Sequence, residues 1–189
     1  TIIFIENQMK VVVQRVNNSS VEINNKIKSE IQKGLLVLIG IGLDDDKKDA
    51  EWLANKVLNL RVFNDSEGIM NKSVMDINGE LLLISQFTLL ALTKKGNRPS
   101  YIKSANHQIA IPLYEHFIKT CKDQIDDKVK TGTFGADMKV SLVNDGPVTI
   151  IIDSKNKEQY YITITSSSSS ISNLLNTAVS YTHLTLPTR

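Results

Sequence analysis

The sequence predicts an α+β fold of curved, barrel-like mixed β-sheets with two main helices. Three observations predict it. Strand-forming runs rich in Val, Ile and Leu cluster at 10–16, 20–31, 34–42 and 81–90 without a helix between each pair, so they are not simple βαβ alternations. Two stretches, one following Asp44 and one around Ile109–Cys121, space apolar residues three and four apart, the period of a helix with one buried face. Asn, Asp, Gly and Pro punctuate the intervals where tight turns are needed.

The 189 residues suit one domain, large enough to bury a core without staples. A single cysteine, Cys121, excludes an intrachain disulfide framework, and His107, His116 and His183 are too scattered for a zinc site. A net charge of +2 leaves nucleic-acid binding to a local patch. No apolar run approaches the roughly 20 residues of a membrane span, and the expected setting is the cytoplasm. The domain is expected to run from 9 to 154. Residues 1–8, ahead of the first methionine at Met9, read as a non-native or disordered extension, with a short strand at Ile2–Ile5 as the other reading. Residues 155–189, with five serines at Ser166–Ser170 and a closing "SYTHLTLPTR", read as a low-complexity, non-native or disordered tail.

Within the domain, "KVVVQRV" (10–16) reads as a buried strand. "SVEI" (20–23), Asn24-Asn25 and "KIKSEI" (26–31) read as a hairpin, because Asn tolerates the positive φ of a tight turn. "GLLVLIGIG" (34–42) is apolar on both faces. Asp44, Asp45 and Asp46 then open a helix as caps rather than as metal ligands, with Ala50, Leu53, Val57 and Leu60 as its buried face. "LLLISQFTLL" (81–90) reads as the most hydrophobic strand, interrupted by Ser85-Gln86. Pro112 fits only near the first turn of the second helix, whose His107 and His116 are expected at the surface. Strands at 139–143 and 148–153 flank "NDGP", which on local grounds is a loop.

Familiar chemistries fail on this chain. Gly40-x-Gly42 starts a dinucleotide fingerprint, but Asp45 occupies the third glycine position, and no Walker motif exists. Neither His107 nor His116 has a nucleophile elbow for company. The unexplained item is "SQFT" (85–88), whose polar groups in an apolar strand need partners that a pocket supplies. "KKGNRPS" (94–100) is either a solvated basic loop or a phosphate grip.

Taken together, "QRV" (14–16), "SQFTL" (85–89), "GNRPS" (96–100), "TGTFGADM" (131–138) and "NDGPVTI" (144–150), in that order, resemble the D-aminoacyl-tRNA deacylase (D-tyrosyl-tRNA deacylase) family from Met9 to about Asp153. The resemblance implies that family's fold and a homodimer that hydrolyses the ester between a D-amino acid and the terminal adenosine of tRNA. It implies catalysis at Ser85, Gln86, Phe87 and Thr88, with the Phe87 N–H facing the oxyanion. It also implies a cis bond at Gly146-Pro147, whose carbonyls reach into the partner's pocket, hold the substrate ammonium and exclude L side chains. Glycine, with no Cβ, should also be cleaved. Arg15 would brace that loop, Phe134 and Met138 would line the adenosine pocket, with core packing as the other reading of these two, and Lys94, Lys95 and Arg98 would meet acceptor-stem phosphates. No metal and no cofactor is implied. Two other readings stand beside this one: a covalent esterase using Thr88 or Ser85, and a non-catalytic module that grips tRNA ends.

Overall fold

The computed structural model describes residues 8–157. Residues 1–7 of the expected extension 1–8, with its alternative strand at Ile2–Ile5, and residues 158–189 of the expected tail 155–189 lie outside the described residues. Among the described residues the order is β1 (Lys10–Ile23), β2 (Lys26–Ile31), β3 (Gly34–Gly40), α1 (Lys47–Asn59), β4 (Phe63–Asn64), β5 (Met70–Lys72), β6 (Glu80–Ser85), α2 (His107–Ile125), β7 (Val129–Thr131) and β8 (Lys139–Asp153). The fold is α+β, with two helices on a barrel-like sheet.

β1 is a single strand of 14 residues where the sequence predicted two. Its register against β8 slips between Val16 and Asn18, so Asn17 is an extra residue that the ladder absorbs as a bulge. β8 covers one edge of β1 along nearly its whole length. The other edge is shared, with β3 on Lys10–Val16 and β2 on Ser19–Ile23. That change of partner curls the sheet. Asn24 and Asn25, at φ 51° and 60°, make the tight turn into β2. β3 pairs in parallel with β6, and β6 with β7. The Ser29 hydroxyl of β2 donates to the Thr131 carbonyl at the end of β7, 2.8 Å away, so the two free margins meet and the barrel nearly closes.

Because β3 and β6 are covered on both faces, they are apolar throughout their interiors, Leu35–Ile39 and Leu81–Ile84. Leu35, Val37, Ile39, Leu81 and Leu83 pack under the helices with Leu53, Val57, Leu113, Phe117 and Cys121. Leu36, Leu82 and Ile84 point the other way, into a smaller core with Val16, Val21 and Ile31.

The three aspartates divide their work. Asp46 caps α1, accepting from Asp49 N–H while the Asp49 carboxylate accepts from Asp46 N–H. Asp45 is instead buried and accepts the Met9 and Gly42 N–H groups, tying β1 to the end of β3. Leu60 is the half-buried C-cap of α1, not part of its buried face. α2 begins two residues before the predicted Ile109, because Asn106 is its N-cap, with Oδ1 accepting from Ile109 N–H. Pro112 therefore sits two residues deeper than expected, inside the helix. His116 is half-buried rather than on the surface, its Nε2 2.7 Å from Glu51 Oε1 on α1.

Two other expectations are corrected, and both bear on function. β6 stops at Ser85 instead of running to Leu90, and β8 is one continuous strand of 15 residues instead of two strands with a loop between them.

Candidate active site

β6 ends where its partner ends. Ile39, next to the last residue of β3, pairs with Ser85, and the following Gln86 N–H donates to the Ile39 carbonyl at 2.6 Å. Beyond this bond the chain leaves β3 and winds into one 3-10 turn, Phe87–Leu90, closed by Leu89 N–H to Gln86 O at 3.2 Å and Ala91 N–H to Thr88 O at 3.1 Å. The first N–H groups of a helical turn have no partner within it. Among the described residues, Phe87 and Thr88 N–H have no backbone acceptor. Gly40 makes room for this turn, since a Cβ there would stand 2.9 Å from Leu89 Cβ and 3.0 Å from the Gln86 carbonyl.

The turn borders a cavity of about 670 Å³. Ile39, Ile41 and Ile84 contribute apolar lining, the consecutive Ser85, Gln86 and Phe87 line it from the end of β6, and Phe134 and Met138 line it from the segment before β8. Phe134 is held between two rings. His107 meets it edge-on at 5.6 Å, and Tyr114 is tilted at 5.7 Å, with its hydroxyl anchored on the Leu83 carbonyl at 2.8 Å. Thr88 stands just beyond the lining, where its Oγ1 accepts a hydrogen bond from Gln86 Nε2.

Arg15, Gly146 and Pro147 form a second constellation, outside this cavity. Asn144 pairs with Val16 and Thr149 with Gln14, so the four residues Asp145, Gly146, Pro147 and Val148 stand opposite Arg15 alone. The excess pushes them out as a wide bulge within β8. The Gly146–Pro147 peptide bond is cis, and both residues are exposed. Arg15 is buried beneath them. Its Nε donates to the Asp145 carbonyl and pairs with Asp145 Oδ2, each at 3.1 Å, and its Nη1 donates to the Val62 carbonyl at 2.6 Å. Gly146, at φ 124°, tolerates no side chain: a Cβ would lie 2.9 Å from Arg15 Nη2. Asn144 closes the neck, with Oδ1 accepting from Val148 N–H and Nδ2 donating to Thr149 Oγ1, both at 3.0 Å. Lys94, Lys95 and Arg98 lie on an exposed loop whose ends are joined by the Leu92–Ser100 bridge.

The family model described as D-Tyr-tRNA(Tyr) deacylase matches residues 12–153. The chain belongs to this family. A D-aminoacyl-tRNA deacylase of Flavobacterium psychrophilum is 62% identical over 150 residues, 79% of this chain and all of that relative. Proteins of the same name from Cytophaga hutchinsonii and Bacteroides fragilis are 59% and 58% identical over the same shares. Among solved structures, the c-Myc DNA Unwinding Element Binding Protein superposes with a TM-score of 0.72 at 42% identity, over 76% of this chain and 97% of that one. A probable eukaryotic D-amino acid tRNA deacylase shares the fold at a TM-score of 0.68 and 17% identity, covering 77% of this chain and 99% of that one.

In this deacylase-family cavity, the wall made by Asn106, His107, Ala136 and Asp137 was missed by the sequence reading. Starting α2 at Ile109 hid Asn106 and His107. The available signal was an Asn three residues before Ile109, in position to cap it.

Proposed function

We propose that this protein hydrolyses the ester of D-aminoacyl-tRNA, releasing the D-amino acid and tRNA. The observation that carries the reading is the cavity itself, which gathers Ser85, Gln86 and Phe87 with Phe134 and Met138 beside a turn whose first N–H groups have no backbone acceptor among the described residues. An aminoacyl ester is already activated, so the site needs chiefly to stabilise developing negative charge. The Phe87 N–H, aided by that of Thr88, faces the oxyanion, a contribution of about 2.7–4 kcal/mol per donor in other enzymes. The ribose 2′-OH of the substrate orients the attacking water. Phe134 and Met138 receive the terminal adenosine, and Lys94, Lys95 and Arg98 meet phosphates of the acceptor end.

The covalent alternative is disfavoured by the partner of Thr88. Its Oγ1 accepts a hydrogen bond from the Gln86 side-chain amide, a group that cannot act as the base a hydroxyl nucleophile requires.

Handedness is filtered by the main-chain oxygens of Gly146 and Pro147, which hold the substrate ammonium from a second copy of the chain in a homodimer. Their position supports this reading: the pair is exposed, braced from below by Arg15, and absent from the lining of the cavity of its own chain. An L side chain strikes the Gly-Pro wall, a D side chain points outward, and glycine passes. The protein acts as a proofreader of translation in the cytoplasm.

The test is a deacylation assay with D-Tyr-, L-Tyr- and Gly-tRNA. Wild type is expected to cleave the first and third and to spare the second. Pro147→Ala removes part of the wall at an exposed site, so the fold should persist while L-Tyr-tRNA hydrolysis becomes measurable. Strict discrimination by a folded Pro147→Ala protein rules out the wall. Binding of D-Tyr-tRNA without turnover identifies a non-catalytic module instead.

A further inference from the structure

We propose that the segment Lys94–Lys103, together with the outer face of Phe87, is a track for the unpaired 3′ strand of the tRNA leading into the cavity, with Tyr101 and Ile102 as its stacking shelf. The proposal rests on the deacylase reading above and extends it beyond the terminal nucleoside. Three apolar side chains of this segment and of the cavity wall sit in the open: Phe87, which lines the cavity, is 56% exposed, Tyr101 39% and Ile102 75%. Tyr101 meets Phe87 edge-on, with ring centroids 5.0 Å apart. Phe87 itself lines the cavity, so the shelf is continuous with it.

The backbone holds this segment against the site. The Ser104 hydroxyl donates to the Phe87 carbonyl at 3.0 Å, Ser104 bridges to Gly42, and Ala105 N–H donates to Ile41 O at 2.9 Å. Ala105, Asn106 and His107, the next residues along, are cavity wall. One continuous stretch of chain therefore runs from the basic loop to the pocket.

Its charge points to the occupant. Lys94, Lys95, Arg98 and Lys103 fall within ten residues that contain no acid. None of the four is in an ion pair among the described residues. Cations along a backbone path beside exposed rings are the chemistry of a single-stranded nucleic acid site, where bases stack and phosphates are neutralised.

The test compares the full chain with Tyr101→Ala, Ile102→Ala and Tyr101→Phe. Binding of uncharged tRNA is read by fluorescence anisotropy, and hydrolysis is measured on D-tyrosyl-tRNA and on the D-tyrosyl ester of adenosine. Tyr101→Ala should weaken tRNA binding about tenfold, the loss of one stacked base. The KM for D-tyrosyl-tRNA should rise in parallel at constant kcat, while hydrolysis of the adenosine ester stays as in wild type. Ile102→Ala should act in the same direction and Tyr101→Phe should restore binding. Replacing Lys94 and Lys95 by Ala should flatten the slope of log affinity against log salt by about 1.4, as two single-strand phosphate contacts require. Equal losses on tRNA and adenosine esters, or no loss on either, overturn the track. So does dissociation of Tyr101→Ala or Ile102→Ala assemblies in sedimentation, which would make the patch a contact between copies of the chain. If wild type fails to hydrolyse D-tyrosyl-tRNA, the activity reading falls while the tRNA-binding comparison still decides the track.

Discussion

Asp45 carries the residue-scale tension between burial and hydrogen bonding. Its carboxyl accepts two backbone N–H groups, which favour the charged form, yet burial outweighs them and pushes its pKa up to about 6. An unfolded aspartate titrates near 3.9. Between these values the folded chain binds more protons than the unfolded one, so stability declines as pH rises through the window. At about 1.4 kcal/mol per unit the full decline is about 3 kcal/mol. Urea unfolding of wild type and Asp45→Asn at pH 4.5 and pH 7 isolates this contribution, because asparagine does not titrate. The stability of wild type relative to the variant should be greater at pH 4.5. A relative stability that grows toward pH 7 would mean the two N–H donors win and the buried carboxylate is held charged. The sequence placed Asp45 among capping residues because local spacing shows a helix start. The contact that buries it comes from Met9, 36 positions away.

At the scale of elements, the turn proposed to face the oxyanion depends on a glycine in another strand. Gly40 ends β3, and its missing Cβ lets the turn Phe87–Leu90 pack against the strand end. Gly40→Ala should leave far-ultraviolet circular dichroism near wild type but displace the Gln86 carbonyl and Leu89, moving the Phe87 N–H. A loss of about tenfold or more in kcat on D-Tyr-tRNA, with little change in KM, is expected, since a donor aimed at the oxyanion acts in the transition state. Unchanged kcat in a folded variant would detach this turn from the chemistry. The same dependence explains what was legible in the sequence. Leu81–Ile84 announced β6 through composition, and the apolar spacing of α1 and α2 announced the helices. Phe87, Leu89 and Leu90 looked like more strand because they are apolar. Only the end of β3 stops β6, and a partner's register is not written in local sequence. β8 failed in the opposite direction. Asp145-Gly146-Pro147 reads as a break, yet β1 pairs on both sides of it and carries the strand through as a bulge. Arg15 was the legible part of that site, through its place in "QRV", while the neck clasp by Asn144 exists only once the bulge has formed.

For the whole molecule, one protomer leaves its features unfinished. Among the described residues β8 pairs with β1 alone, so a strand of 15 residues presents an edge that none of them covers, with Val143 50% and Ile151 71% exposed. Long bare edges invite pairing, and proteins cover them. The Gly146–Pro147 bulge is carried on that same strand and projects to solvent, while the cavity of its own protomer is walled without it. A second copy that covers the edge and accepts the bulge resolves both observations, and mixed assemblies distinguish this from action within one chain. One protomer would carry Pro147→Ala with its catalytic turn intact. The other would carry Phe87→Pro, which removes the N–H donor at the first position of the turn, where proline is sterically tolerated. In the mixed dimer the one live turn faces a wild-type Gly-Pro wall only if the wall acts across the interface. Adding excess Phe87→Pro protomer to Pro147→Ala should then suppress L-Tyr-tRNA hydrolysis while D-Tyr-tRNA hydrolysis per live turn persists. If the two activities fall together, or if L-Tyr-tRNA hydrolysis is untouched under conditions where subunit exchange is demonstrated by mass, the filter serves its own chain and the bulge must reach the cavity by another route.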